Sequence, residues 1–310
     1  MSYPWLQPAE EEFAERLVQG RLPHALLLSG PRGTGKKELA SQLLAGILCL
    51  DSDWPACGNC RSCQLLATGA HPDCRILTFE DHPRTGDLRK ELIVDQVRGL
   101  ISSLNLTNTI SRRKAALIYP AEAMNTNAAN ALLKTLEEPP GETVIILVCS
   151  DTARLPATIR SRCQNLTIRQ PEPADALDWL QNESGLDEQS ARAALQAAAG
   201  SPLEALRLHR EGATEQYLLL TETLAKLEAG RIGAGSALAA LADVEPDRLW
   251  SWISLLAAGR LKSGGRPLQQ ARELSKLQSA ADLNRKLVST PVRKDFLLQD
   301  WLIQWARISA

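Results

Sequence analysis

The chain lacks a surplus of charge: over 310 residues, 35 Lys+Arg face 36 Asp+Glu, a formal net charge of −1. A protein that coats nucleic acid by bulk electrostatics needs a basic excess, so that class is disfavoured. No apolar run approaches the roughly 18 residues needed to span a bilayer. The start, Met1-Ser2-Tyr3-Pro4-Trp5, has neither a basic patch nor an apolar stretch. No secretory leader is therefore expected, and the expected compartment is the cytoplasm. Tandem repeats and low-complexity tails are absent, which excludes solenoids and biased tails. What remains, with 44% hydrophobic and 23% charged residues, is an ordinary globular composition long enough for two or three domains.

Cysteine is absent beyond Cys163, and five of the seven cysteines fall between Cys49 and Cys74. The two halves of the chain also differ in pattern. The first 165 residues alternate short apolar runs with amphipathic stretches. Strands are expected at 25–28, 75–79, 114–119 and 144–149, and helices at 35–48, 91–104 and 126–138. That order predicts an α/β domain with a parallel sheet covered on both faces. From about residue 171 the chain is Ala/Leu-rich with helical spacing. Pro171-Glu172-Pro173 reads as a hinge, Gly200-Ser201-Pro202 as a helix boundary and Glu211-Gly212-Ala213 as a second break. Helices are expected at 215–229, 235–243, 246–262, 267–288 and 295–308. Residues 231–310 hold 12 Lys/Arg against 7 Asp/Glu, a mild bias that would suit an acidic partner surface. Trp250, Trp252, Trp301 and Trp305 recur at helical spacing, which favours a core role over an interface role.

Gly30-Pro31-Arg32-Gly33-Thr34-Gly35-Lys36 follows the first expected strand and opens a helix, the setting of a phosphate-binding loop. Its glycines let backbone N–H groups turn inward around phosphate oxygens, and the helix N-terminus adds partial positive charge. Gly30, Gly33, Gly35 and Lys36 are the candidate nucleotide contacts. Here, too, absences are informative. A Ser or Thr after the lysine would hold Mg²⁺, but the chain has Lys37, an ammonium without a lone pair. An Asp-Glu pair at the end of a neighbouring strand would organise the metal and polarise a water. In Ala115–Glu122 those places are taken by Tyr119 and Pro120, and Glu122 lies far past the strand end. Any ATP binding is therefore expected to be non-productive.

Cys49, Cys57, Cys60 and Cys63 have the spacing C-x7-C-x2-C-x2-C. Four thiolates so placed suit tetrahedral Zn²⁺ in a closed structural site, in a module spanning about 49–74. An iron–sulfur cluster is the rival, although Cys63 is followed by Gln64-Leu65-Leu66 rather than by a further Cys and Pro. Buried thiols without metal are the third reading. Cys74 and Cys149 adjoin apolar strands and read as packing thiols. His71 is a possible ligand, but four cysteines already complete the shell.

Beyond the broken acidic strand, Asn125 or Thr126 is placed to cap a helix that stops at Pro139-Pro140. The α/β part then closes on Leu155-Pro156-Ala157-Thr158-Ile159-Arg160-Ser161-Arg162-Cys163. An arginine here is either a surface charge or, on the rim of a nucleotide domain, a group that reaches phosphate bound by a neighbour.

Taken together, Leu22–Gly30, the loop Gly30–Lys36, the four-Cys insert before His71-Pro72-Asp73, Asn130–Pro140 and Ser161-Arg162-Cys163 resemble the bacterial clamp loader, whose members belong to the AAA+ superfamily. The resemblance spans residues 22–170. It implies an AAA+ P-loop domain with a zinc-binding insert (1–168), a small helical lid (169–210) and an all-helical C-terminal collar (211–310). Motor subunits of that family keep Ser/Thr after the loop lysine, the Asp-Glu pair and an arginine in a Gly-Ser-x-Arg segment. This chain has Lys37, Tyr119-Pro120 and Gly200-Ser201-Pro202-Leu203, yet keeps Arg162. The resemblance thus implies a non-hydrolysing stator that supplies Arg162 in trans as an arginine finger. Implied partners are motor (gamma/tau) and delta subunits in a five-membered ring, with sliding clamp and primed DNA reached through the complex. Two other readings stand beside it: an active ATPase motor subunit, and a stand-alone zinc protein that binds DNA.

Overall fold

In a computed structural model of the chain, residues 3–81, 89–262, 267–288, 290 and 293–309 are described. Met1 and Ser2, part of the start read above, lie outside them. The chain divides into two compact units, Met1–Ala176 and Leu177–Ala310.

The first unit is built on five parallel strands: β1 (Ala25–Ser29), β2 (Cys74–Leu77), β3 (Lys114–Ile118), β4 (Thr143–Cys149) and β5 (Gln164–Thr167). Their order across the sheet is β2-β3-β4-β1-β5. Every residue of β1, β3 and β4 is buried, whereas the edge strands β2 and β5 are partly exposed. This is why the central strands read as unbroken apolar runs while the edges do not. Alternate side chains enter two separate cores. Leu26, Leu28, Leu117, Ile146 and Val148 face α1 (Gln7–Val18) and α2 (Lys36–Leu48). Leu27, Ile118, Ile145 and Leu147 meet apolar side chains from the far side of the sheet. Those come from α4 (Val94–Leu104), α5 (Thr126–Glu137) and α6 (Ala157–Arg160); α3 (Arg61–Ala67) belongs to the cysteine-rich insert.

Polar side chains close the element ends. Asn125, not Thr126, caps α5 by accepting from the Ala128 N–H at 2.9 Å. Lys114, buried at the start of β3, donates to the carbonyls of Ser103 and Leu104 at 3.1 Å and to that of Leu106. A cation so placed satisfies the orphan carbonyls at the end of α4 and complements its dipole.

The second unit is helical. It holds most of α7 (Pro173–Ser184), then α8 (Glu188–Ala197), α9 (Pro202–Arg210), α10 (Ala213–Glu228), α11 (Ala234–Ala240), α12 (Pro246–Lys262), α13 (Leu268–Leu287) and α14 (Lys294–Ser309). Trp250, Trp252, Trp301 and Trp305 are all core residues. The indole N–H groups of three of them find acceptors: Trp252 at the Ala197 carbonyl (3.0 Å), Trp301 at the Leu277 carbonyl (3.0 Å) and Trp305 at Glu228 Oε1 (2.7 Å). No helix among the described residues is long and apolar enough to cross a membrane.

Candidate functional site

β1 ends at Ser29, and the chain turns through Gly30–Gly35 into α2. Gly33 and Gly35 lie at positive φ (70° and 85°), and a Cβ on Gly30 would stand 2.1 Å from the Ile168 carbonyl oxygen. Only glycine fits such a path. Some of the loop's polar groups have partners within the chain. Lys36 is 4% exposed, and its Nζ donates to the carbonyl of Pro31 in the same loop. Burial brings its pKa down to about 8, although Glu122 and Cys149 nearby act to raise it. The Thr34 hydroxyl also donates to the Pro31 carbonyl, at 2.9 Å, and the Thr34 carbonyl accepts from Trp5 Nε1 at 2.9 Å. The rings of Tyr3 and Trp5 stack with centroids 5.2 Å apart, and Tyr3 lies where a Cβ on Gly35 would come within 2.7 Å.

Two of the three residues in the places of the magnesium machinery meet each other. The Lys37 ammonium sits 5.6 Å from the centroid of the Tyr119 ring, within cation–π range. Glu122 is buried on a 3₁₀ turn, Ala121–Ala123, after β3. Its Oε1 accepts from the Ser150 N–H at 3.1 Å, while Oε2 has no hydrogen-bond partner among the described residues. Sequence spacing had set Glu122 too far along the chain. The 3₁₀ turn folds it back, close enough for its charge to act on Lys36.

The four cysteines converge. Cys49 follows the last residue of α2, Cys57 lies in the intervening loop, Cys60 caps α3 and Cys63 stands in its first turn. All four sulfurs lie within 4.8 Å of one another, with Cys49–Cys60 and Cys57–Cys63 at 4.0 Å. Tetrahedral zinc with Zn–S bonds of about 2.3 Å requires sulfurs about 3.8 Å apart, so the set fits the ion. Backbone N–H groups of Cys57, Cys60 and Cys63 point at the sulfurs of Cys49, Cys57 and Cys60 at 3.3–3.4 Å, which stabilises thiolates. Burial raises the Cys60 pKa, but hydrogen bonds from Leu50 and Cys63 outweigh it and bring the thiol to about 6. Burial and the bond to Cys60 push Cys63 up to about 12. Thiols that oppose one another's ionisation in this way are a donor set that a dication satisfies.

His71 is not a fifth ligand. Its Nδ1 accepts from the Asp73 N–H at 3.1 Å, so Nε2 carries the proton and donates to the Ser62 hydroxyl at 2.8 Å. Ser62 in turn donates to the Leu48 carbonyl at 2.6 Å. Asp73 accepts the N–H groups of Thr109, Ile110 and Ser111 at 2.7–2.8 Å. The His-Pro-Asp segment thereby ties the cysteine module to the end of α2 and to the loop before β3.

Arg162 follows α6 and lies about a third exposed. Its Nε donates to Glu137 Oε1 at 2.6 Å, Nη2 donates to the same oxygen, and Nη1 donates to the Thr158 carbonyl at 2.9 Å. Glu137 ends α5 and was not singled out by sequence reasoning, because a carboxylate at a helix end is common on any surface. Nor were Tyr3 and Trp5 linked to the loop, since 29 residues separate Trp5 from Thr34.

A parallel sheet in this order, flanked by helices and carrying a phosphate-binding type of loop after β1, defines a P-loop domain of AAA+-like fold. Over the whole chain, the solved structure of a gamma subunit-related protein of DNA polymerase III from Thermotoga maritima superposes with a TM-score of 0.51 at 17% identity, covering 99% of this chain and 100% of that one. The sequence model for the family described as DNA polymerase III, delta subunit, matches residues 6–172. DNA polymerase III subunit delta' of Pseudomonas aeruginosa is 37% identical over 97% of this chain and 89% of its own. The subunit delta' of Escherichia coli is 36% identical over 84% of this chain and 76% of its own. The chain belongs to the DNA polymerase III delta-prime subunit family.

Proposed function

We propose that this chain is the non-hydrolysing stator of a bacterial clamp loader in the DNA polymerase III holoenzyme. It contributes Arg162 in trans to the ATP site of an adjacent motor subunit while the sliding clamp is placed on primed DNA. The observation that carries this reading is the contrast inside one site-bearing unit. The loop lysine is buried against the loop's own carbonyl and Lys37 faces Tyr119, whereas the Arg162 guanidinium reaches the surface. A loop so arranged offers no metal ligand, which supports ATP binding that is absent or non-productive. Gly30, Gly33, Gly35 and Lys36 remain only as the outline of a nucleotide site.

In this reading Cys49, Cys57, Cys60 and Cys63 hold a structural zinc ion that cross-links the insert. Residues 1–168 are the AAA+ domain, 169–210 the lid and 211–310 a collar that joins gamma/tau and delta subunits in a cytoplasmic five-membered ring. The test is reconstitution with motor subunits, delta, clamp and primed DNA, comparing wild type with Arg162→Ala. ATP turnover and clamp loading should fall together, and equal turnover would remove the arginine from the mechanism. The purified chain alone should show no Mg-dependent ATP hydrolysis. Hydrolysis abolished by Lys36→Ala would instead make it a motor subunit.

A further inference from the structure

Arg162 does not stand free on the surface; it is held in one orientation from two sides. Its Nε and Nη2 donate to a single oxygen of Glu137, and its Nη1 donates to the Thr158 carbonyl. Both backbones that set this geometry are anchored in the same core. Leu132 and Leu136 of α5 and Ile159 of α6 are fully buried there, and Cys163 packs against it. α5 runs up to Glu137 and the chain then leaves the helix at Pro139-Pro140, which fixes where the backbone carrying this carboxylate ends. Acidic residues at a helix C-terminus oppose the helix dipole, so Glu137 gains from a cationic partner at that place.

The contacts leave the guanidinium's outer donors available. Three of its five N–H groups are committed to Glu137 and Thr158. Among the described residues Nη1 otherwise reaches Ser161 Oγ, at 3.5 Å, and Nη2 retains a second N–H. These two nitrogens form a fork suited to phosphoryl oxygens. As a device for stability the pair would be weak, because both side chains are well exposed, at 32% and 49%. As a device for orientation it removes the rotamer search of a long side chain before a neighbour's phosphate arrives.

We infer that Glu137 is a positioning residue, which orients the Arg162 guanidinium toward phosphate on an adjoining subunit. The inference rests on the trans role proposed for Arg162. It is tested in the reconstituted complex with Glu137→Ala, Glu137→Gln, Arg162→Ala and the double variant Glu137→Ala/Arg162→Ala, each confirmed to assemble by gel filtration. Glu137→Ala should lower kcat for ATP by about threefold to tenfold, with KM unchanged. Glu137→Gln, whose amide oxygen still accepts from Nε and Nη2, should recover most of the loss. The double variant should turn over like Arg162→Ala alone. Wild-type turnover in Glu137→Ala beside a reduced rate in Arg162→Ala would overturn the inference and leave the arginine reading intact. Unchanged turnover in Arg162→Ala would overturn both. A further loss on adding Glu137→Ala to Arg162→Ala, or a Gln variant as slow as the Ala variant, would also overturn it.

Discussion

Lys36 and Arg162 are two cations of the same unit, both of residue types that reach phosphate, and their surroundings are opposite. Lys36 lies in the interior, its charged form disfavoured by burial, and its ammonium donates to the Pro31 carbonyl of its own loop. Arg162 lies on the surface, its charge compensated by Glu137, and part of its donor set is unspent. The difference sets a loop lysine turned inward against an arginine presented at the surface. In the loop, the Lys36 ammonium, the Thr34 hydroxyl and the Thr34 carbonyl each have a partner within the chain. The trans role proposed for Arg162 needs only an exposed planar cation on a firm backbone.

The comparison breaks first at Arg162. Arg162→Ala should slow ATP turnover in the reconstituted complex by about tenfold to a thousandfold, less than a full arginine finger because other ring sites keep their own. Its thermal midpoint as an isolated chain should be unchanged, and a large stability loss would mean that the residue is structural. Next in size is the cysteine module. Cys60→Ser, or treatment with a chelator, should lower bound zinc from one per chain toward zero and destabilise the first unit by about 2–5 kcal/mol. Metal analysis of freshly purified protein that finds no zinc would discard the site.

A smaller loss is expected from Asp73→Asn, about 2–4 kcal/mol, because three backbone N–H groups lose their ionised acceptor. Burial opposes the charge on Asp73, but those three N–H groups prevail and hold its pKa below the ordinary carboxylate value. The sign follows: the stability it supplies is present above about pH 3.9 and is lost as pH falls through its lower folded value. Urea unfolding should therefore show a gap between wild type and Asp73→Asn at pH 7 that narrows in acid. A gap independent of pH would assign the loss to packing. The smallest effect belongs to Lys36→Ala, which should leave complex turnover within about twofold of wild type. A tenfold fall would mean that the loop still handles nucleotide, and the contrast with Arg162 would collapse.

Much of this was legible in the chain, but unevenly. The central strands were clear because a strand buried on both faces must be apolar throughout, as in Val144–Cys149. β5 was not, because Gln164–Thr167 buries only Leu166 and becomes a strand through pairing with β1. Helix α1 also escaped notice, since its apolar stripe, Ala9, Phe13 and Leu17, is sparse among Glu10, Glu11 and Glu12. The cysteine set was legible from spacing alone, because ligands so close in sequence have few ways to be far apart in space.

The partners of the functional groups were a different matter. Glycine spacing, the missing Ser/Thr and acidic pair, and the retained Ser-Arg-Cys are local patterns, and local backbone rules make them readable in a single chain. That Lys36 turns to Pro31, that Lys37 meets Tyr119, that Trp5 covers Thr34 and that Glu137 grips Arg162 were decided only by the tertiary fold. Most of those contacts join segments 25 to 82 residues apart, which only the packed sheet and its helices bring within hydrogen-bonding or cation–π distance. Residue identity thus settled which metal-binding residue types stand in the loop and beside it, and packing settled where each charge points.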